Sequence, residues 1–309
     1  LTLIKKEYKV FVRNGALLSP EDKDKLRLID TELAQLSLSF GENVLADSQA
    51  FELHLTDKKQ LDGLPVNSIT QAEALAKEKN KDGWIFTLDY PSYVPFVTYA
   101  DNRELRKEMS LAFGKKGFQD NENNNETVIL KLVRLKKDRA NLLGYSSHAD
   151  FVLEERMAQS TSQVNQFLDD LYQNALPFAK KEWEQVESYA EEKLDLNDLQ
   201  KWDTSYVSEK LKQELFNFDD QILKPYFPLP NVLKGLFEIV KRLYGLHFEQ
   251  SDAIQGYHKD VICFEVFNES GAFHAVLYAD FHPRSGKRSG AWMTSYRSQN
   301  QRSGCYHRA

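Results

Sequence analysis

Seven histidines, two cysteines and several paired acids are the residues with which this chain could do chemistry. A hydrolytic zinc site needs neutral imidazoles and a carboxylate on a rigid frame, with a general base beside an open coordination position. Its compact helical form is His-Glu-x-x-His, because four-residue spacing puts both rings on one helix face. Among His54, His148, His247, His258, His274, His282 and His307, none is followed by glutamate and no two lie four apart. His274 and His282 would share one side of a continuous strand. No third ligand is evident beside them, so they read as polar residues on a solvated or half-buried face. His258, next to Lys259 and Asp260, reads as a loop residue.

Nucleophilic and phosphate chemistry find no better support. Cys263 sits in an apolar alternating run and reads as inert core. There is no Gly-x-Ser-x-Gly elbow. Ser285-Gly-Lys-Arg-Ser-Gly290 lacks the Gly-x-x-x-x-Gly-Lys-Ser/Thr order of a phosphate loop, and no helix pattern follows it. Glu154-Glu155 and Glu191-Glu192 are adjacent on helical segments, diverge around the axis and read as solvated surface. The sequence thus offers no catalytic residue and no metal ligand set.

Composition narrows the classes. A hydrophobic fraction of 41% over 309 residues allows a sizeable core in one large domain or two ordinary ones. A formal net charge of −6 with no polybasic stretch argues against nucleic acid. No apolar run reaches the roughly 18 residues of a membrane span. Cys263 and Cys305 alone exclude a disulfide framework and leave a single bridge open. Leu1-Thr-Leu-Ile-Lys-Lys-Glu-Tyr8 reads as the middle of a helix, so the natural amino terminus is expected to be missing. The compartment is then read as cytoplasmic, with the periplasm as the alternative.

The elements are mostly helical. Ser19-Pro20-Glu21-Asp22 is a helix start, and Leu26, Ile29, Leu33, Leu36 and Phe40 follow as a buried stripe. Ser68 to Gln71 predicts a capping box for a helix to about Lys79. Trp84 to Asp89 predicts a strand, broken by Pro91 and Pro95. Asp101 to Glu104 predicts a second capping box, for a helix ending near Gly114 or Gly117. Val128 to Leu142 predicts the next helix, leaving at Gly144, and Phe151 to Met157 a short one. A long helix follows from Val164 to about Leu194, kinked at Pro177. Two more run from Trp202 to Phe216 and from Val232 to Gly245. Beyond Gly245 the period becomes two: Val261–Phe267 and Ala275–Phe281 flank Asn268-Glu-Ser-Gly271 as a β-hairpin, and Gly290–Ser295 could supply a third strand.

Tyr278-Ala-Asp-Phe-His-Pro-Arg-Ser-Gly-Lys-Arg-Ser-Gly-Ala-Trp-Met-Thr-Ser-Tyr-Arg-Ser-Gln299 resembles the segment that precedes the zinc site in the thimet oligopeptidase and peptidyl-dipeptidase family of zinc metallopeptidases. Gly286 to Met293 looks most like the bacterial peptidyl-dipeptidase branch. Leu18–Leu26 with Phe40–Asn43, Phe151–Met157, Trp202-Asp203 with Tyr206, Lys224–Leu229 and Tyr244–Leu246 also resemble that family in the right order.

The resemblance implies a mainly α, two-lobed peptidase architecture with a small β-sheet near the end of this chain. It implies a zinc-dependent hydrolase of short peptides, either oligopeptidase or peptidyl-dipeptidase, with zinc held by His-Glu-x-x-His and a downstream glutamate. None of those residues has a counterpart here. The expectation is therefore an inactive fragment ending before the motif, itself binding no zinc, from a monomeric parent, and able to self-associate. What carries over is Gly290, Ala291 and Trp292, implied to offer backbone groups to an extended peptide, a form of strand addition. The expected organisation is a helical region 1–245, the start of the catalytic region at 246–299 with its sheet, and a divergent tail at 300–309. The rival reading is a non-catalytic helical scaffold that grips peptides or proteins.

Overall fold

The computed structural model describes residues 1–288 and 290–296, and only the backbone of 300–302 and 305–307. The fold is mainly α, as the sequence predicts. It separates into two compact units, Leu1–Leu215 and Phe216–Ala309. The change of pattern at residue 245 falls inside the second unit, because the helix before it belongs there too.

In the first unit, α1 (Thr2–Arg13) is followed by α2 (Pro20–Ala50). The Ser19 hydroxyl caps α2 by accepting from the Asp22 amide at 3.1 Å. The predicted stripe of α2 is shallower than expected. Leu26 is buried, Ile29, Leu33 and Leu36 are half-buried, and Phe40 is exposed. The stripe packs chiefly against one neighbour, the helix Glu126–Leu142, and a single helix cannot cover it on both flanks.

A two-stranded sheet pairs β1 (Leu53–Leu55) with β2 (Trp84–Phe86), Leu53 opposite Phe86. The sequence reading did not find β1, and β2 stops short of Asp89. Between them, α3 (Val66–Glu78) starts two residues before the predicted cap. Ser68 lies buried in its first turn, and the Pro65 carbonyl accepts from Ser68 and Ile69 at 2.9 and 3.2 Å.

The predicted break at Pro91 and Pro95 is instead a helix, α4 (Tyr90–Tyr99). Pro91 stands in the first turn, where no amide donor is required, so only Pro95 removes a helical bond. Next comes α5 (Arg103–Gly114), capped by Asn102 rather than Asp101, through a 3.2 Å bond from the Leu105 amide. Then follow α6 (Glu126–Leu142) and α7 (His148–Leu153). The Ser147 cap starts α7 ahead of the predicted Phe151. The long α8 (Thr161–Leu194) runs through Pro177 without a break in helix, and α9 (Lys201–Phe216) follows.

The apolar centre of this unit gathers Leu53, Leu55, Phe86, Phe96, Ala100 and Met109, with Phe86 and Phe96 edge-to-face at 4.7 Å. Buried carboxylates tie parts of this unit together. Asp203 on α9 is wholly buried and accepts from Arg103 Nη2 at 2.7 Å and Arg106 Nη2 at 2.8 Å, joining α9 to α5. Arg106, 1% exposed, also donates to the Ala100 and Asp101 carbonyls, and its guanidinium lies 4.0 Å from the Tyr206 ring centre. Asp47, near the end of α2, accepts from the Gly117 amide at 2.7 Å and from the Asn121 and Asn123 side chains. The asparagine-rich stretch before α6 is thus a cradle for that carboxylate.

In the second unit a 3-10 turn (Asp220–Tyr226) precedes α10 (Leu229–Tyr244). Gly245 ends α10 at φ +68°, a left-handed cap that L side chains rarely adopt. The chain then forms β3 (His247–Gln250), β4 (Ile262–Phe267) and β5 (Phe273–Ala279), an antiparallel sheet in that order. The predicted hairpin is β4–β5. Its third strand is β3, on the far side of β4, and not Gly290–Ser295, which carries no strand. Phe237 on α10 stacks on Phe248 at 4.3 Å and meets Phe264 edge-on at 5.0 Å, fixing the helix to one face of the sheet. Further on, β6 (Asn300–Arg302) pairs with β7 (Cys305–His307) within the region predicted as a divergent tail. The side chains of Cys305 and His307 lie outside the described residues.

Candidate substrate-binding site

The predicted substrate-contact residues follow β5 through a loop whose shape is set by one carboxylate. Asp280, the first residue past β5, receives Arg284 in a fork: Nη1 to Oδ1 at 2.7 Å and Nη2 to Oδ2 at 2.8 Å. Lys287 Nζ donates to Asp280 Oδ1 at 3.0 Å and to the carbonyls of Asp280 and His282 at 2.9 and 2.8 Å. The Tyr257 hydroxyl donates to Asp280 Oδ2 at 3.0 Å. Planar guanidinium and carboxylate groups match in such a fork, which fixes direction as well as charge. Arg284, then Lys287 and Tyr257, hold the Asp280 carboxyl well below the usual carboxylate range. Pro283 and Gly286, the latter at φ +78°, allow the chain to curl back so that both cations reach one acid. The acid and its two cations fall at i, i+4 and i+7, a spacing visible in the sequence and overlooked there.

Beyond this clamp, Gly290, Ala291 and Trp292 form an exposed irregular segment. Gly290 adopts φ +122°, and the Trp292 ring lies 3.6 Å from where its Cβ would be. Space is adequate there, so the backbone angle is what demands glycine. The segment is not built into the sheet. An open edge exists instead on β5, whose only strand partner among the described residues is β4.

Three tyrosines that the sequence reading did not connect come together beside this loop. Tyr257, from the β3–β4 connection, lies 6.2 Å from Tyr278 of β5, and Tyr296 lies 6.1 Å from Tyr278. With Gln255 and Gly256 they line a shallow pocket of about 540 Å³. In the β4–β5 register Tyr278 stands opposite Cys263, and Leu277 opposite Phe264. Directly opposed residues share a face. The tyrosine pocket therefore opens on the face away from α10. A second cleft, of about 610 Å³, lies on the α10 side among Leu233, Phe237, Phe248 and Phe264 and is an apolar seam.

The remaining candidates scatter. His274 is exposed on β5, His282 is exposed in the loop beyond it, and His258 faces Asp260 at 3.5 Å. Cys263 is buried in β4, as predicted. Glu154 is not free surface: it accepts from Arg13 Nε at 3.0 Å and from the Tyr145 hydroxyl. Among the described residues no group of three or more histidine, cysteine, aspartate or glutamate side chains converges as metal ligands would. The described residues therefore offer no ligand set for a hydrolytic zinc ion.

Comparison with known proteins bears out the family resemblance. The family model described as peptidase family M3 matches residues 96–308. Oligopeptidase A of Escherichia coli is 36% identical over 287 residues, covering 92% of this chain and 42% of that protein. Dipeptidyl carboxypeptidase of Escherichia coli is 29% identical over 302 residues, covering 97% and 44%. Saccharolysin of Saccharomyces cerevisiae is 29% identical over 299 residues, covering 92% and 41%. The chain thus spans about two fifths of the length of the curated relatives it matches. With the family model covering more than half of its residues, this chain belongs to peptidase family M3.

Proposed function

We propose that these residues are part of a zinc-dependent peptidase that hydrolyses short peptides, and that the 309 residues alone do not catalyse the reaction. The observation that carries the reading is the family match over residues 96–308 in a sequence without His-Glu-x-x-His. Zinc, when bound by the whole enzyme, would supply a Lewis acid and an activated water. This chain's contribution is one wall of the substrate channel. The clamped loop after β5 presents Gly290, Ala291 and Trp292, and glycine beside alanine lets a peptide backbone approach closely. The open edge of β5 supports a similar role, because strand addition binds peptides through backbone groups whatever their side chains.

Two measurements test this. The 309-residue chain, incubated with a quenched-fluorescent short peptide and excess zinc, is expected to show no chelator-sensitive cleavage. Robust cleavage would overturn the inactivity. A longer reading frame containing these residues is expected to encode His-Glu-x-x-His downstream and to cleave the same peptide. A complete frame without paired imidazole ligands would overturn the peptidase reading.

A further inference from the structure

We propose that the pocket of Tyr257, Tyr278 and Tyr296 is a side-chain subsite that takes an uncharged ring, aromatic or prolyl, from a bound peptide. The proposal deepens the peptidase reading and rests on it for the nature of the ligand. The geometry is an open aromatic box. Tyr278 meets the other two rings at 6.2 and 6.1 Å with interplanar angles of 38° and 88°, and the three line a space of about 540 Å³ with Gln255 and Gly256. Tyr257 is 57% and Tyr296 76% exposed, which leaves ring surface in water that an inserted ring would cover. Aromatic pairs favour centroid separations of about 4.5–7 Å, offset or edge-on, and a fourth ring entering here would meet such partners.

An aromatic box could also attract a cation. The neighbouring charges decide against that. The carboxylate bonded to the Tyr257 hydroxyl is Asp280, and both of its oxygens are already engaged, by Arg284, Lys287 and that hydroxyl. An entering lysine or arginine would therefore meet two cations and no uncommitted oxygen of that acid. A ring without charge gains the aromatic contact and meets no such opposition. The position suits a peptide ligand, since Tyr278 belongs to β5, the strand with the open edge, and Tyr296 lies four residues beyond Trp292.

The test measures binding, not cleavage, by titration calorimetry of the chain with blocked Gly-Gly-X-Gly-Gly peptides in which X is Phe, Leu or Lys. The Phe peptide is expected to bind about 3- to 10-fold more tightly than the other two. Tyr296→Ala, at an exposed position outside helix and sheet, should erase the preference without moving the thermal melt; Tyr257→Leu should do the same to the preference. Equal affinity for Leu and Phe, tightest binding of Lys, no binding at millimolar peptide, or a preference that survives both substitutions would overturn the proposal. Its failure is separable from that of the peptidase reading. Ring preference here with no cleavage by the longer chain sinks only the peptidase, and cleavage there without ring preference here sinks only the pocket.

Discussion

Replacing Asp203 by alanine should destabilise the first unit more than any surface change of equal size. The side chain is wholly buried and holds Arg103 and Arg106. Arg103 is 35% exposed and can turn to water once released. Arg106 is 1% exposed and has no such escape, so its charge is left buried with only carbonyl partners and the Tyr206 ring. Breaking a buried pair from one side costs about 3–5 kcal/mol, most of it the stranded charge. For a unit of this size that corresponds to a melting temperature lower by about 6–20 °C. Urea unfolding followed by far-ultraviolet circular dichroism, with a near-ultraviolet probe to check for a single transition, measures the loss. Asp203→Leu combined with Arg106→Met should recover part of it, because no buried charge is then left unpaired. A loss for Asp203→Ala below about 1 kcal/mol, the level of an exposed pair, would refute the reasoning. So would a double variant worse than the sum of its singles.

The same carboxylates predict an acid limb. Burial alone would raise the Asp203 pKa, but hydrogen bonds from Arg103 and Arg106 outweigh it, so the folded value lies below the unfolded one of about 3.9. Such a group stabilises the fold above its unfolded pKa and loses that contribution as pH falls through the folded value. Stability measured against pH should therefore drop below about pH 4, and Asp203→Asn should flatten that drop. Tyr206 should titrate late in a difference-absorbance experiment, since burial and its bond to Asp101 push it up to about 12. Asp280→Asn should loosen the loop after β5 and speed tryptic cleavage after Arg284 or Lys287, and an unchanged cleavage rate would deny the clamp. Gly63→Ala should destabilise the first unit by at least about 2 kcal/mol in the same urea assay, because φ is +85° and a Cβ would meet the Tyr99 carbonyl oxygen at 2.2 Å.

Helices were legible because their signals are local. Ser19-Pro20 marks the start of α2 and Gly245 the end of α10, and both stand where hydroxyl, proline and glycine chemistry place them. The errors came where one residue type has two local meanings. Pro91 ends a strand in one reading and opens a helix in another, and Asp89 gives no side-chain cap to decide it; only its carbonyl accepts from the Ser92 and Tyr93 amides. Strand β1 was missed because three residues show too little alternation, and its partner β2 lies some thirty positions on. The site divided in the same way. The Gly290 to Trp292 segment was found through motif likeness, whereas the tyrosine pocket joins residues 257, 278 and 296, which only the turn at Asn268–Gly271 and the clamped loop bring together. Nothing in the neighbours of any one tyrosine announces the other two.

The edge of β5 that pairs with no strand among the described residues bears on how the protein behaves in company. Phe273-His-Ala-Val-Leu-Tyr-Ala279 has no lysine, acid or proline, the devices with which natural sheets discourage unwanted partners along their margins. Whatever backbone groups would welcome a guest peptide would welcome a second copy of the same strand equally well. Crowding should then set the outcome: dilute chains keep the margin vacant for guests, and concentrated ones zip together and lose it.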